Sequence, residues 1–125
     1  MPLSIRAMAL PVLLACALPV SVQASDPAAG QAVFKTQCGA CHSVAQGKNM
    51  IGPSLFGLVG RRSGSIDGFR YSAANKAAEI VWSAATLDKY LLAPREVVPG
   101  TTMTYIGLKD APKRADLIAY LESVR

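Results

Sequence analysis

The sequence predicts a small all-α domain behind an export segment. Three observations predict it. No stretch reads convincingly as a strand. The C-terminal run "DAPKRADLIAYLESVR" carries an apolar stripe at helical spacing, made by Leu117, Tyr120, Leu121 and Val124. The first 24 residues have the composition of a secretory signal rather than of a folded core. A chain of 125 residues allows one small domain.

The signal comes first. "MPLSIRAMALPVLLACALPVSVQA" has one charge, Arg6, then an apolar run, and ends in small residues with Val22 and Ala24 placed for a cut after Ala24. Pro11 and Pro19 interrupt the run, which falls short of the ~20 apolar residues of a membrane span. A second processing route is open. "LLAC" at Leu13–Cys16 resembles a bacterial lipobox, in which Cys16 would be lipidated and become the new N-terminus. Both routes imply export. The expected division is 1–24 signal peptide, removed, and 25–125 folded domain. All eight aromatic residues lie in that second part, whose size implies a thin core.

The helices follow in order. Asp26 is a candidate N-cap with Pro27 at the first helical position, and Phe34 and Cys38 then share a face. "GPSLFGLVGRRSGSIDG" is Gly-rich and reads as loop and turns. "SAANKAAE" from Ser72 is a short helix capped by that serine. "SAATLDKYLLA" from Ser83 is another, with Leu87, Tyr90 and Leu91 on one face and Pro94 stopping it. "VVPGTTMTYIG" is a loop, and the helix from Asp110 ends the chain. There are no repeats and no internal linker.

The chemistry is concentrated in "QCGACHSVAQGKNMIGP", Gln37 to Pro53. Cys38 and Cys41 are three apart, and His42, the only histidine, follows at once. A thioredoxin-like redox pair would sit in a βαβ context, which is missing. A structural zinc site needs about four ligands, and the chain offers only Cys16 besides. A Cys₂His zinc site is possible by count, but Cys41 and His42 are adjacent and poorly placed to hold one ion from both sides. The spacing reads best as covalent attachment of a c-type haem. On a helix, residues i and i+3 share a face with Cβ atoms about 5–6 Å apart. Two thiols so placed can form thioethers to neighbouring vinyl groups, and the imidazole can reach the iron, which it suits.

A sixth iron ligand cannot be another histidine. Methionine, lysine, water or an empty position remain. Met50 is eight residues beyond His42 and would need a cramped return. Met103, far along the chain in "PGTTMTY", has ample length to reach the opposite face. Gap-filling in a core is the ordinary role of methionine, but the loop setting favours Met103 as ligand.

The ordered segments "GQAVFKTQCGACH", "GPSLFGLVGRRSG", "GFRYSAANK", "VWSAATLDKYLLAP", "VPGTTMTYIGLKD" and "RADLIAYL" resemble the class I c-type cytochromes, of the bacterial cytochrome c2 and mitochondrial cytochrome c kind. The resemblance covers essentially all of residues 25–125. It implies a small all-α fold with crossed N- and C-terminal helices around one covalently bound haem c, Gly30 and Phe34 meeting Leu117 and Tyr120 at the crossing. It implies that the Pro53 carbonyl accepts the Nδ1 proton of His42, fixing the tautomer. Arg61, Tyr71 and Trp82 would hydrogen-bond the propionates. Asn75, Tyr90 and Thr101 would form the polar network beside Met103, and Tyr105 would stand at the haem edge, where phenylalanine is common. Gln37 and Thr102 occupy two positions where the family often has lysine. Lys35, Lys48, Arg95 and Lys109 remain as a basic face.

The functional expectation is a soluble periplasmic one-electron carrier, not an enzyme, and a monomer. Its partners would be membrane redox complexes: a bc1-type complex, a terminal oxidase or a photosynthetic reaction centre. Without Arg6, twelve Lys and Arg face eight Asp and Glu. That diffuse charge suits steering toward acidic partners, and no dense basic run indicates nucleic acid. A small haem peroxidase, a gas-binding haem protein and a dedicated dehydrogenase subunit are the alternatives.

Overall fold

The computed structural model describes residues 16–18 and 24–125. Most of the expected signal segment therefore lies outside the described residues, although Cys16 is among them and is exposed. Among the described residues five helices follow in order: α1 (Pro27–Gln37), α2 (Ala73–Ala77), α3 (Ala84–Leu92), α4 (Pro94–Val97) and α5 (Ala111–Ser123). Among the described residues no strand forms, and one isolated antiparallel bridge joins Arg62 and Val81.

The helix starts follow local chemistry. The Asp26 carboxylate accepts from the Ala28 amide and Pro27 begins α1. Ser72 caps α2 by accepting from the Asn75 amide. Ser83 and Thr86 cap α3 reciprocally, each side chain accepting from the other's backbone N–H. Asp110 caps α5 through the Lys113 amide. Pro94 does end α3, but it also opens α4 one residue later. Its fixed φ and absent N–H suit a first helical position as well as they prevent continuation.

The core is built where α1 and α5 meet. Phe34, Leu117, Ile118 and Leu121 are buried there, with Leu87, Tyr90 and Leu91 from α3. Gly30 makes the approach possible: a Cβ at that position would run into the Asp116 carbonyl oxygen and stand 2.8 Å from the Tyr120 Cβ. The Phe34 and Tyr120 rings lie 5.7 Å apart. The contact is closed at its end by Asp116, whose carboxylate accepts from the Asp26 amide at 2.8 Å. Arg114, buried on α5, ties this pair to α3. Its Nε bonds Asp88 at 2.7 Å and its Nη1 donates to the Leu108 carbonyl at 2.9 Å.

One expectation is corrected. The Cys38–Cys41 pair does not lie on regular helix. α1 ends at Gln37, and residues 38–41 form turns. The Gly39 amide shares the Phe34 carbonyl with the Cys38 amide, which breaks the regular ladder. Cys41 and His42 then both donate to the Cys38 carbonyl, at 3.0 and 2.9 Å. A single tight turn thus keeps the i, i+3 relation that a helix was expected to supply.

Candidate functional site

A cavity of about 340 Å³ opens between the turn after α1, the loop from Ile51 to Tyr71, α3 and the segment after α4. Cys38, Cys41 and His42 line it, as do Pro53, Arg61, Tyr71, Asn75, Trp82, Tyr90 and Met103. Of the site residues named from the sequence, only Thr101 is not on the wall. It acts one step back, its hydroxyl accepting from the Met103 amide at 3.2 Å. Met50 is outside the cavity, on the rim of a shallow groove with Lys35, Lys48 and one side of His42.

The imidazole is held in one state. Its Nδ1 lies 2.8 Å from the Pro53 carbonyl oxygen. A carbonyl can only accept, so Nδ1 carries the proton and Nε2 keeps its lone pair. Burial, opposed by the Pro53 bond and aided by the Arg61 charge, lowers the His42 pKa below its ordinary value. A neutral imidazole is the form that ligates metal. Gly52 makes room for it: a Cβ there would stand 2.6 Å from Nδ1. The loop carrying Pro53 is itself braced. Asn49 Oδ1 accepts from the Ser54 amide at 2.9 Å, the buried Ser54 hydroxyl donates to the Ala45 carbonyl at 2.7 Å, and Arg61 Nη2 donates to the Ser54 carbonyl at 2.9 Å.

Met103 is oriented from α3. The Tyr90 hydroxyl donates to Sδ at 3.7 Å. Burial pushes that phenol up to about 12, so it remains a donor throughout the ordinary pH range. Trp82 packs on Tyr90 with ring centroids 4.7 Å apart. Asn75 reaches the cavity wall, yet no side-chain hydrogen bond joins it to Met103. Tyr71 accepts from the Ile66 amide at 3.2 Å, which leaves its own O–H free to donate. Arg61 also bonds the Phe56 carbonyl, so two of its five donors are engaged by the loop. Burial raises the Cys38 thiol to about 11, with the neighbouring Cys41 adding to the effect.

Four contributors were not read as site residues from the sequence. Gly52 signals itself only by preceding Pro53. Ser54 and Asn49 act on backbone groups, the Ala45 carbonyl and the Ser54 amide. Gln37 was noted only as a missing lysine, yet its Oε1 accepts from the Tyr105 hydroxyl at 3.0 Å across the cavity mouth.

The donor set fits a haem and not zinc. Two thiols and an imidazole with a free Nε2 share an apolar cavity with one thioether sulfur. Among the described residues no three His, Cys, Asp or Glu side chains gather to hold a metal ion. The fold and site therefore define a small helical protein that carries a covalently attached haem.

Comparison with known proteins agrees. The Cytochrome c family model matches residues 27–125. Cytochrome c2 of Rhodopila globiformis is 48% identical over 105 residues, which is 84% of this chain and 99% of that protein. Cytochrome c 2.1 of Caenorhabditis briggsae is 48% identical, covering 81% of this chain and 90% of that one. Cytochrome c of Nigella damascena is 47% identical, covering 79% and 90%. The chain belongs to the cytochrome c family. It is a class I c-type cytochrome, an electron carrier rather than an enzyme, with one haem c attached at the Cys38–Cys41 motif.

Proposed function

We propose that this cytochrome is a soluble periplasmic shuttle, exported by residues 1–24 and mature from Ser25, that moves single electrons between membrane redox complexes. The observation that carries the site assignment is the convergence of Cys38, Cys41, His42 and Met103 on one cavity, with Met50 outside it. The iron of a bound haem supplies a one-electron ferrous–ferric couple, and His/Met ligation raises its potential.

The chain's own residues do the rest. Cys38 and Cys41 tether the group through the turn they share. Pro53 keeps the proton of His42 on Nδ1, so Nε2 always faces inward as a ligand. Tyr90 aims the Met103 thioether, and Thr101 holds its backbone. Arg61, Tyr71 and Trp82 offer N–H and O–H donors to the propionates, which lowers the cost of burying those anions. Asn75 adds a polar group to the same wall. With both His42 and Met103 as ligands the site would offer no position to peroxide or dioxygen, which favours transfer over the peroxidase or gas-binding alternatives. No atoms are exchanged with a substrate.

Among the described residues no helix is long and apolar enough to cross a membrane. Lys35 and Lys48 border the groove beside His42. Arg95 and Lys109 lie on the Met103 side, bonding the Thr104 and Leu92 carbonyls. These cations suit an acidic partner such as a bc1-type complex, a terminal oxidase or a reaction centre.

The test is to mix the holoprotein with membranes of the source cell and follow its redox state. The ferrous form should be oxidised and the ferric form reduced at rates that depend on added protein. Membranes that do neither would overturn the shuttle.

A further inference from the structure

The segment from Thr101 to Gly107 carries Met103 past the cavity mouth. Nearly every hydrogen bond that fixes it stays on its own side. The Thr101 amide bonds the Val98 carbonyl at 3.1 Å, the Met103 amide bonds Thr101, Tyr90 holds the sulfur, and Arg95 on α4 holds the Thr104 carbonyl. One bond crosses. Tyr105, two residues beyond Met103, donates to Gln37 on the far rim at 3.0 Å. The two residues are 68 apart in sequence, and both line the cavity.

The anchor is firm. Gln37 is the last residue of α1, the helix braced along α5 through Gly30 and Phe34. The Tyr105 ring is half-buried, while Gln37 is exposed. A lysine at position 37 or a phenylalanine at position 105 could not make this bond. Phenylalanine has no donor and lysine no acceptor.

We propose that the Tyr105–Gln37 hydrogen bond is a latch that ties the Met103 segment to α1 across the cavity mouth and sets how often the Met103 side opens to exogenous ligands. Tyr105 and Gln37 are thus positioning residues, acting on Met103 through the backbone that joins it to Tyr105. The inference rests on Met103 being the sixth ligand. Opening requires the latch to break, so removing it raises the opening frequency. One neutral hydrogen bond corresponds to about a two- to tenfold change.

The test is imidazole binding to the ferric holoprotein, followed by rapid mixing. Tyr105→Phe and Gln37→Ala should each raise the limiting rate about two- to tenfold. The double variant should do no more than either single one, and the resting spectrum should keep its methionine signature. Gln37→Glu retains an acceptor oxygen and should stay near the unmodified rate. Unchanged rates in both single variants, or effects that multiply in the double variant, would overturn the latch. Met103→Ala separates the two claims. It should bind imidazole without an opening step. If it does so while Tyr105→Phe has no effect, the latch alone fails. If Met103→Ala itself binds at the unmodified rate, the ligand assignment fails and takes the latch with it.

Discussion

Two methionines in residues 25–125 have opposite settings, and the difference is testable. Met103 faces the cavity under a hydrogen bond from Tyr90, whereas Met50 is 42% exposed beside Lys48. Met103→Ala should abolish the sulfur-to-iron absorption of the ferric protein. It should lower the potential by on the order of 0.1 V or more, within the roughly 0.8 V that axial ligands span. Peroxidase activity should rise, because a coordination position is then open. Met50→Ala should change none of these. Spectra and potentiometry of the two variants decide it, and a reversed pattern would exchange their roles. Tyr90→Phe is the finer probe: it keeps the ring packed on Trp82 and removes only the donor, so it should lower the potential in the same direction by less.

At the scale of elements, the α1–α5 contact depends on a missing side chain. Any Cβ at Gly30 meets the backbone of Asp116, which cannot rotate away. The two helices would have to separate, loosening Phe34 against Tyr120. Overpacking of this kind costs roughly 1–3 kcal/mol, and a backbone obstacle places Gly30→Ala at the upper end. Alanine's better helix propensity, about 1 kcal/mol over glycine, offsets only part of that. Denaturant titration of the ferric holoprotein should show a lower midpoint with little change in the visible spectrum. An unchanged or raised midpoint would mean that the helices give way at no cost.

At the scale of the whole molecule, charge and processing matter. The association rate with a membrane partner should fall roughly tenfold or more from ~0.01 M to physiological salt, as the screening length shrinks from ~30 Å to ~8 Å. Lys35→Glu should slow it further while leaving the spectrum alone. Lys35 is the cleaner site for this substitution. Lys109 donates to the Leu92 carbonyl at 2.8 Å, and reversing it would also disturb the end of α3. Association indifferent to salt would indicate apolar docking. The N-terminus is settled by intact mass. A chain beginning at Ser25 plus one haem is expected, and a diacylglycerol on Cys16 would instead show a tethered carrier.

What the sequence determined by itself was local. The C-x-x-C-H spacing specifies covalent haem attachment because thiols three residues apart share one side of a single turn, whether or not that turn is regular helix. Asp26, Ser72, Ser83 and Asp110 mark the starts of α1, α2, α3 and α5 because a cap is satisfied within three residues. The all-α class and the family were legible for the same reason, being carried by short segments in a fixed order. Only the tertiary structure decided which groups meet across the chain. The fit of Gly52 against the His42 ring, the Tyr90 bond to Met103 and the crossing from Tyr105 to Gln37 join residues up to 68 positions apart. No periodicity or propensity encodes such pairs. They exist because α1 and α5 bury their apolar faces on one another, and that burial brings α1 and the segment before α5, and with them the rims of the cavity, within reach of a hydrogen bond.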